Sequence, residues 1–263
     1  MRVVVYTATF TDYDWIVSPG VKAAGVDYVL ISDRKPRLAS GWSWRPYPAE
    51  TAGLDQTMAN RYCKFFPHIL FPDHDLSVYI DGSIVLVGDI TPLLNRFVGS
   101  DADIGLFPHR FGRTLAEELD FAIEVSKIRG PDIDRARGQL QRYVGEGLDP
   151  QLLISENAVL LRRHGRAALD AAMALWWQEL GAGCRRDQVS LQYCLWRTGA
   201  TAMTFDFLYR RSNPYFFQLG HRLKKRPIAD IRRLALGLSH RPGHLRLGWA
   251  GLYRVLSRFP DSW

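Results

Sequence analysis

Segments with the composition of buried strands alternate with helix-like segments along most of the chain. Residues 2–8, 27–32 and 76–80 are apolar runs rich in β-branched or aromatic residues, which predicts strands. Further strands are predicted at residues 103–107 and 157–161, and helices at residues 55–66, 114–127, 166–180 and 187–197. Strands that alternate with helices predict an α/β fold, in which a mixed, mostly parallel sheet is flanked by helices.

The positive charge of the chain is concentrated near its end. The 263 residues have a net charge of +7, and residues 219–263 contain ten Lys or Arg against two Asp. We therefore divide the chain into a catalytic-type domain, residues 1–218, and a basic tail, residues 219–263. Leu245, Trp249 and Leu256 lie on one face of a predicted amphipathic helix in the tail. Such a helix either binds an anionic membrane or acceptor, or packs on the domain with its basic side in water.

Several classes of protein are not expected. The three cysteines have no C-x-x-C spacing, which argues against a disulfide scaffold and a cysteine zinc site. No apolar run is long enough to span a bilayer, and no signal peptide precedes the first predicted strand. We expect a cytoplasmic protein that contacts the inner membrane face, if at all, through its tail. The tail has no zinc-finger or helix-turn-helix signature, so we expect no specific nucleic-acid partner.

Two of the first three predicted strands end next to an aspartate. In an open α/β sheet, ligands bind outside the carboxyl ends of the strands. Asp33 follows the second strand, and Asp81 follows the third and precedes Gly82. An Asp-Gly pair after a strand is often only a turn. Asp81 lies between two apolar runs, however, where a carboxylate needs a metal ion or hydrogen-bond donors.

Residues 60–94, with the sequence NRYCKFFPHILFPDHDLSVYIDGSIVLVGDITPLL, resemble a segment of the GT-A glycosyltransferases of the galactosyltransferase and glycogenin type. In those enzymes a basic helix leads into a strand that ends in a D-x-D metal motif. Residues 1–198 are more similar to the group called domain of unknown function 616, whose plant members are Golgi wall-polysaccharide proteins. That similarity involves residues 6–8, 13–14, 61–68, 79–83, 109–110, 117–118, 157, 162–164, 176–179 and 186–190. The resemblance implies a GT-A-like, Rossmann-related fold and a nucleotide diphosphate sugar as donor.

The D-x-D resemblance implies a divalent cation, Mn²⁺ or Mg²⁺, at Asp81. Ser83 stands where the motif has its second aspartate, so its neutral oxygen predicts weaker metal binding. A late histidine is a ligand in the resembled enzymes, and His221 is the candidate; the alternative is a surface histidine in a basic stretch. The cation would balance the charge that develops on the leaving diphosphate.

The resemblance also implies a donor-binding set, which comprises Tyr6, Thr7, Ala8, Asp33, Arg61 and Lys64. Arg61 and Lys64 are three residues apart on one predicted helix and could both face a pyrophosphate. The alternative for this pair is a solvated helix face. Asp33 would suit the nucleobase or ribose, and its alternative is a strand-end turn.

Asp187 and Gln188 begin a predicted helix after a glycine break. From sequence alone, Asp187 is expected to be the N-cap. The resemblance instead places both residues at the donor sugar, where Asp187 would bind hydroxyls or stabilise an oxocarbenium charge and Gln188 would assist. An inverting reaction needs a base, for which Asp187, Glu118 and His109 are candidates. In a retaining reaction the donor phosphate can do much of that work.

Three functions follow as hypotheses. The first is a glycosyltransferase that uses a nucleotide sugar, such as a UDP sugar, and a glycan, polysaccharide or glycolipid acceptor. The second is a degenerate nucleotide- or glycan-binding module, which Ser83 would allow. The third is a metal-dependent hydrolase of a lipid or sugar. Trp176 and Trp177 are expected to be core or interface residues, with an acceptor-sugar platform as the alternative.

Overall fold

The computed structural model describes residues 1–11, 13–36 and 40–219. His221 and the predicted helical tail therefore lie outside the described residues, apart from Leu219. The strands are β1 (Val3–Thr9), β2 (Val26–Ser32), β3 (Ser43–Arg45), β4 (Leu76–Ile80), β5 (Ile84–Leu86), β6 (Ile104–Pro108), β7 (Ser155–Arg163), β8 (Ala202–Thr204) and β9 (Phe216–Gln218). The helices are α1 (Gln56–Phe65), α2 (Pro67–Leu70), α3 (Thr91–Gly99), α4 (Leu115–Glu124), α5 (Pro131–Gly145), α6 (Ala167–Ala182) and α7 (Asp187–Thr198), with a 3-10 turn at Ala49–Thr51.

In the described part of the chain, seven strands form one sheet in the order β3-β2-β1-β4-β7-β6-β8. Every neighbouring pair is parallel except those that involve β7, which is antiparallel to both β4 and β6. The predicted mixed, mostly parallel sheet flanked by helices is thus confirmed. β5 and β9 pair antiparallel in a separate two-stranded sheet.

All five predicted strands are present, as β1, β2, β4, β6 and β7, and the four predicted helices are α1, α4, α6 and α7. Helix α4 ends before residue 127, because Ser126 has a φ of 57° that a right-handed helix cannot include. Helix α5 was not predicted, since its polar sequence and the central Gly138 weaken the apolar period.

Capping residues fix the start of two helices that contribute residues to the site. The Asp55 side chain accepts a hydrogen bond from the Met58 N–H at 2.9 Å and caps α1, while Pro67 follows its last turn. At α4, Thr114 and Glu117 form a reciprocal capping box. These hydrogen bonds join residues that are close in sequence, so they fix the first residue of each helix independently of tertiary contacts.

The core lies on both faces of the sheet because successive side chains of β1 point to opposite sides. Val4 and Tyr6 pack in the cluster that includes α1, α6 and α7, whereas Val5 packs with Phe97 of α3. Both faces of the central strands are thereby closed to water. In the described ranges, no helix has the length and apolar character needed to cross a bilayer.

All three cysteines of the chain are buried and unpaired. Burial raises the pKa of Cys63 to about 12. It also raises the pKa values of Cys184 and Cys194. The thiols are therefore protonated at neutral pH and act as small apolar side chains in the core.

Candidate active site

The antiparallel strand β7 brings its first residues to the edge of the sheet where the parallel strands end. β1 ends at Thr9, β4 is followed by Asp81, and β6 is followed by His109. Glu156, near the start of β7, is in register with Phe107 of β6. This edge, called the rim below, therefore collects polar side chains from distant parts of the chain.

Four charged residues, Arg61, Lys64, Asp81 and Asp187, form the Lys64 cluster at the rim. Lys64 Nζ donates to Asp187 Oδ2 at 2.7 Å and lies 3.7 Å from Asp81 Oδ1. An Arg61 guanidinium nitrogen is 3.6 Å from Asp187 Oδ1. The Lys64 side chain is 1% exposed and that of Asp81 is 32% exposed. Asp81 is thus the member of this group that a ligand reaches most directly.

The charges of the Lys64 cluster stabilise one another. Burial alone would raise the pKa of Asp187, but Arg61 and Lys64 outweigh it and hold that pKa well below the usual range. Burial likewise opposes the charge of Arg61, yet the carboxylates of Asp187 and Asp81 raise its pKa. Asp187 is therefore an ionised carboxylate throughout the physiological range.

The expectation that Asp187 is an N-cap is wrong. Arg186 occupies the cap position of α7, and Asp187 is the first helical residue. The Asp187 carboxylate accepts its hydrogen bond from the ammonium group of Lys64 and not from a backbone N–H, because a charged donor forms the stronger hydrogen bond. The Asp187 carbonyl accepts from Trp176 Nε1 at 3.0 Å and from Asn157 Nδ2 at 3.3 Å. Two other elements thus fix where α7 begins.

Of the predicted donor-binding residues, Tyr6, Thr7 and Ala8 lie inside β1 and are buried. The Tyr6 hydroxyl donates to the Cys63 carbonyl at 3.0 Å and accepts from Arg162 at 2.8 Å. Arg162 also donates to the carbonyl of Lys64. These side chains support the Lys64 cluster from below the rim, and their contact with a donor stays a prediction.

Asp33 lies at the end of β2, where it contacts the chain that follows β1. Its carboxylate accepts from the Thr11 N–H at 2.8 Å and from the Thr11 hydroxyl at 3.2 Å. These bonds join the segment after β2 to the segment after β1, 22 residues away in the chain, so they are long-range contacts and not the local bonds of a strand-end turn. Its predicted contact with a nucleobase or ribose stays a prediction.

A further carboxylate at the rim belongs to Asp14, which is among the residues that carry the resemblance but has no predicted role. It is 7% exposed, and Thr9 Oγ1 donates to its Oδ2 at 3.3 Å. A Cβ placed on Gly82 would lie 2.5 Å from that same oxygen, so Asp14 packs directly over the turn between Asp81 and Ser83. The Leu219 N–H donates to the Ser83 carbonyl at 2.7 Å. The described chain therefore ends beside this turn.

The oxygens at this turn suit a hard divalent cation, because Mg²⁺ and Mn²⁺ prefer carboxylate and hydroxyl ligands. Among the residues described, no group of three or more His, Cys, Asp or Glu side chains is arranged to hold a metal ion. A Mg²⁺ site can form with one or two protein carboxylates, water and substrate phosphates. The side chains of Asp81 and Ser83 are of the type that such a cation binds, their binding of it stays a prediction, and His221 lies outside the described residues.

The close approach of Asp14 to Gly82 predicts the effect of a methyl group. In the variant Gly82→Ala, Asp14 and Thr9 must move, and we expect unfolding in urea to show a loss of about 1–3 kcal/mol. Gly138→Ala is the control, because its Cβ would meet nothing within 4 Å in mid-helix. That variant should gain about 0.5–1 kcal/mol. Parent-like stability of Gly82→Ala would contradict this expectation and show that Asp14 and Thr9 move aside at little cost.

A cavity of about 100 Å³ opens at the rim around His109, and is called the basic cavity below. Its lining includes five cationic side chains and two glutamates: Arg110, Arg113, Lys127, Arg186, Arg210, Glu118 and Glu156. Gln188, Phe111 and Phe121 complete its wall. Gln188 Oε1 accepts a hydrogen bond from Arg186 at 2.7 Å. The first turn of α7 therefore contributes to both sites, because Gln188 lines the cavity and Asp187 belongs to the Lys64 cluster.

Glu118 is a guanidinium-bound carboxylate and not a free base. Its two oxygens accept from Arg113 at 3.0 Å and Arg186 at 2.8 Å. Burial would raise the pKa of Glu118, but these hydrogen bonds lower it. A carboxylate that accepts hydrogen bonds from two guanidinium groups is a weak proton acceptor. That Glu118 is the catalytic base therefore stays a prediction, which this geometry does not favour.

His109 lies between two buried glutamates. Its Nε2 is 3.8 Å from Glu118 Oε2 and 3.9 Å from Glu156 Oε1. Burial lowers the pKa of His109 more than the two carboxylates raise it, so the imidazole is neutral at pH 7. Sequence reasoning missed Glu156, for which the available signal was a charged residue shortly before the apolar run of residues 158–161.

The two tryptophans of α6 belong to the packing beneath the site. Trp176 is fully buried and stacks on Phe65 with ring centroids 3.8 Å apart. Trp177 is partly buried and contacts Tyr62 and Phe66 edge-on. The expected core role is confirmed for Trp176, whose indole N–H also holds the start of α7.

The family model described as TOD1/MUCI70, glycosyltransferase-like domain, matches residues 49–217. The chain belongs to the TOD1/MUCI70 family. The matched range contains the whole Lys64 cluster and the whole basic cavity, whereas Asp14 and Asp33 precede it. The glycosyltransferase-like family expected from the sequence is confirmed.

Two relatives from Arabidopsis thaliana are similar to this member of the TOD1/MUCI70 family. Alkaline ceramidase TOD1 is 27% identical over 223 residues, which cover 72% of this chain and 47% of that protein. Probable hexosyltransferase MUCI70 is 30% identical over 138 residues, which cover 48% of this chain and 23% of that protein. The chain thus spans less than half the length of either relative.

Among solved structures, the apo structure of the bifunctional glycosyltransferase WbbM is similar in fold. It matches 78% of this chain and 38% of its own, with a TM-score of 0.50 and 13% sequence identity. At that identity the similarity concerns the fold alone, and it agrees with the α/β architecture described above.

Proposed function

We propose that this TOD1/MUCI70 family member transfers a hexose from a nucleoside diphosphate sugar to a glycan, polysaccharide or glycolipid. The observation that supports this most directly is the Lys64 cluster at the carboxyl ends of β1 and β4. Buried cations there can stabilise the charge that a diphosphate gains as it leaves. The glycosyltransferase-like family and the hexosyltransferase relative point to the same chemistry.

Arg61 is the group that we assign to the donor diphosphate. Its Nε is buried and has no hydrogen-bond partner among the described residues, so the guanidinium retains a free donor. Lys64 is already bonded to Asp187 and keeps that carboxylate in place. A divalent cation at Asp81 and Ser83, with His221 as a predicted further ligand, would supply Lewis-acid stabilisation of the diphosphate.

Asp187 is assigned to the donor sugar and His109 to the acceptor hydroxyl. Among the described residues, the Oδ1 atom of Asp187 has only a 3.6 Å ion-pair contact to Arg61, so it can still accept a sugar hydroxyl or face a developing positive charge. The neutral imidazole of His109 can take a proton from an acceptor hydroxyl, as an inverting reaction requires. Gln188 would position the acceptor side, and the tail would contact an anionic surface in the cytoplasm.

A nucleotide titration tests the metal and donor assignments. We expect UDP with Mn²⁺ to raise the melting temperature more than UDP alone, because the cation would strengthen the binding of the nucleotide. A ligand at one hundred times its Kd adds about 2.7 kcal/mol to the free energy of unfolding. Asp81→Asn should lose the Mn²⁺-dependent part. Asp73→Asn, at an exposed turn, is the matched control and should behave as the parent. GDP and ADP in the same titration identify the preferred base.

Two outcomes would contradict the proposal. An unchanged Mn²⁺ response in Asp81→Asn would place the metal elsewhere. Nucleotide binding without any sugar transfer would favour the degenerate binding module that Ser83 allows.

The relative named alkaline ceramidase favours hydrolysis of a lipid as the second candidate function. Ceramide cleavage that is unaffected by UDP and by Arg61→Ala would support it. Transfer from a UDP sugar that is lost in Arg61→Ala would support the first candidate instead.

A further inference from the structure

The basic cavity has more positive charge than its own carboxylates can balance. Glu118 binds Arg113 and Arg186, and Glu156 accepts from Arg210 at 2.9 Å and from Tyr209 at 3.2 Å. Glu118 is therefore engaged through both of its oxygens, and Glu156 is engaged through Oε2, while its Oε1 lies 3.9 Å from His109 Nε2.

Two further cations of the lining, Arg110 and Lys127, have no carboxylate within 4.0 Å in the part of the chain that the structure describes. Arg110 instead lies over the ring of Phe111 at 4.4 Å, and Lys127 lies 5.4 Å from the ring of Phe121. Partial burial, followed by the charge of Arg186, lowers the pKa of Lys127. The lining thus holds more cations than carboxylates, and a bound anion would offset their mutual repulsion.

Unused hydrogen-bond donors also line this wall. The Nε atoms of Arg186 and Arg210 are buried and have no partner among the described residues. A buried donor without a partner is costly, and an oxyanion is the acceptor that guanidinium groups bind best. Phe111, 59% exposed, lies at the same cavity with the guanidinium groups of Arg110 and Arg113 4.4 and 5.0 Å from its ring centroid.

We propose that the basic cavity binds an oxyanion, a carboxylate or phosphate, on the acceptor. The inference rests on the proposed function, because it assigns the Lys64 cluster to the donor and the adjacent cavity to the acceptor. The volume of about 100 Å³ is well below that of pockets for whole drug-sized ligands, so the cavity suits a charged head group better than a whole nucleotide. Gln188, next to Asp187 on α7, connects the two sites.

Calorimetric titration of the full chain with three sugars tests this assignment. The probes are glucuronic acid, glucose 6-phosphate and neutral glucose, which separate a carboxylate source from a phosphate source. We expect at least one anionic probe to bind about tenfold or more tightly than glucose, since hydrogen bonds between charged groups are roughly twice as strong as those between neutral groups. High salt should weaken that binding.

The double variant Arg110→Ala with Lys127→Ala removes the two unbalanced cations without breaking an ion pair to Glu118 or Glu156. We expect it to lose about tenfold in affinity for the anionic probe while UDP with Mn²⁺ binds as before. Arg135→Ala with Arg137→Ala, on the exposed side of α5, removes the same charge and should bind the probe like the parent. The single variant Arg110→Ala, at an exposed position, retains the test if the double variant is unstable.

The possible results separate the two proposals. Equal binding of all three sugars, or unchanged anion binding in Arg110→Ala with Lys127→Ala, would overturn the oxyanion site. Loss of UDP binding in that variant would overturn the acceptor assignment, because the cavity would then belong to the donor. If the anion binds and UDP fails to bind the parent protein, the oxyanion site stands and the proposed transferase function fails.

Discussion

Asp187→Asn is expected to lower kcat/KM for sugar transfer by about 10²–10³, the typical loss when one charge-stabilising group is removed from an active site. The same change should lower the free energy of unfolding by about 3–5 kcal/mol, because Lys64 would remain buried without its nearest counter-ion. Transfer assays with saturating Mn²⁺ and urea unfolding of the same preparations measure the two effects. Asp134→Asn, an exposed first-turn aspartate of α5, is the matched control.

The stability effect of Asp187→Asn has a defined pH dependence. The pKa of Asp187 is lower in the folded chain than in the unfolded one, so its contribution is fully present above the unfolded value and is lost as the pH falls. The difference in unfolding free energy between parent and variant should therefore be constant near neutrality and shrink below about pH 4. A difference that is small at pH 7, or that grows on acidification, would contradict the ion pair with Lys64.

Trp176→Ala is expected to have the largest effect of any substitution outside the charged groups. It removes a fully buried ring that stacks on Phe65 and a hydrogen bond to the Asp187 carbonyl, and such truncations cost about 3–5 kcal/mol. Because the start of α7 loses a contact, donor affinity should fall as well. Urea unfolding and nucleotide titration at a temperature where the variant is folded measure both results.

Trp176→Phe separates packing from positioning. It keeps an aromatic ring against Phe65 but has no N–H for the Asp187 carbonyl, so it should lose donor affinity with a smaller loss of stability. Trp196→Ala on α7 is the control, since Trp196 is 45% exposed and should cost less than about 1 kcal/mol. If Trp176→Phe and the parent bind nucleotide equally, the indole hydrogen bond does not position α7.

Local signals in the sequence were sufficient for the elements of the fold. The β-branched run of β1 and the Asp55 cap with Pro67 at α1 are encoded by neighbouring residues, so pattern and capping rules locate them. The direction of β7 was not predictable in this way. Its residues would be equally buried in a parallel strand, and only the long-range pairing with β4 and β6 decides between the two.

The sequence identified several residues of the site but not which of them contact one another. Asp81 and Asp187 were identified at a strand end and a helix start, yet Lys64 remained ambiguous between a solvated face and a ligand. Its actual partner, Asp187, is 123 residues away, a separation at which spacing rules carry no information. The same holds for Glu156 and Arg210, which meet only because β7 is antiparallel and so brings its first residues to the rim.

The buried, protonated state of the three cysteines has a practical consequence for such experiments. Electrophilic dyes react with thiolates, and none of these thiols is both exposed and ionised in the folded chain at neutral pH. One cysteine introduced on the surface, for example at the mouth of the basic cavity, would therefore be labelled selectively. A fluorophore attached there could report occupancy of the site without any removal of native cysteines, whose substitution would leave voids in the core.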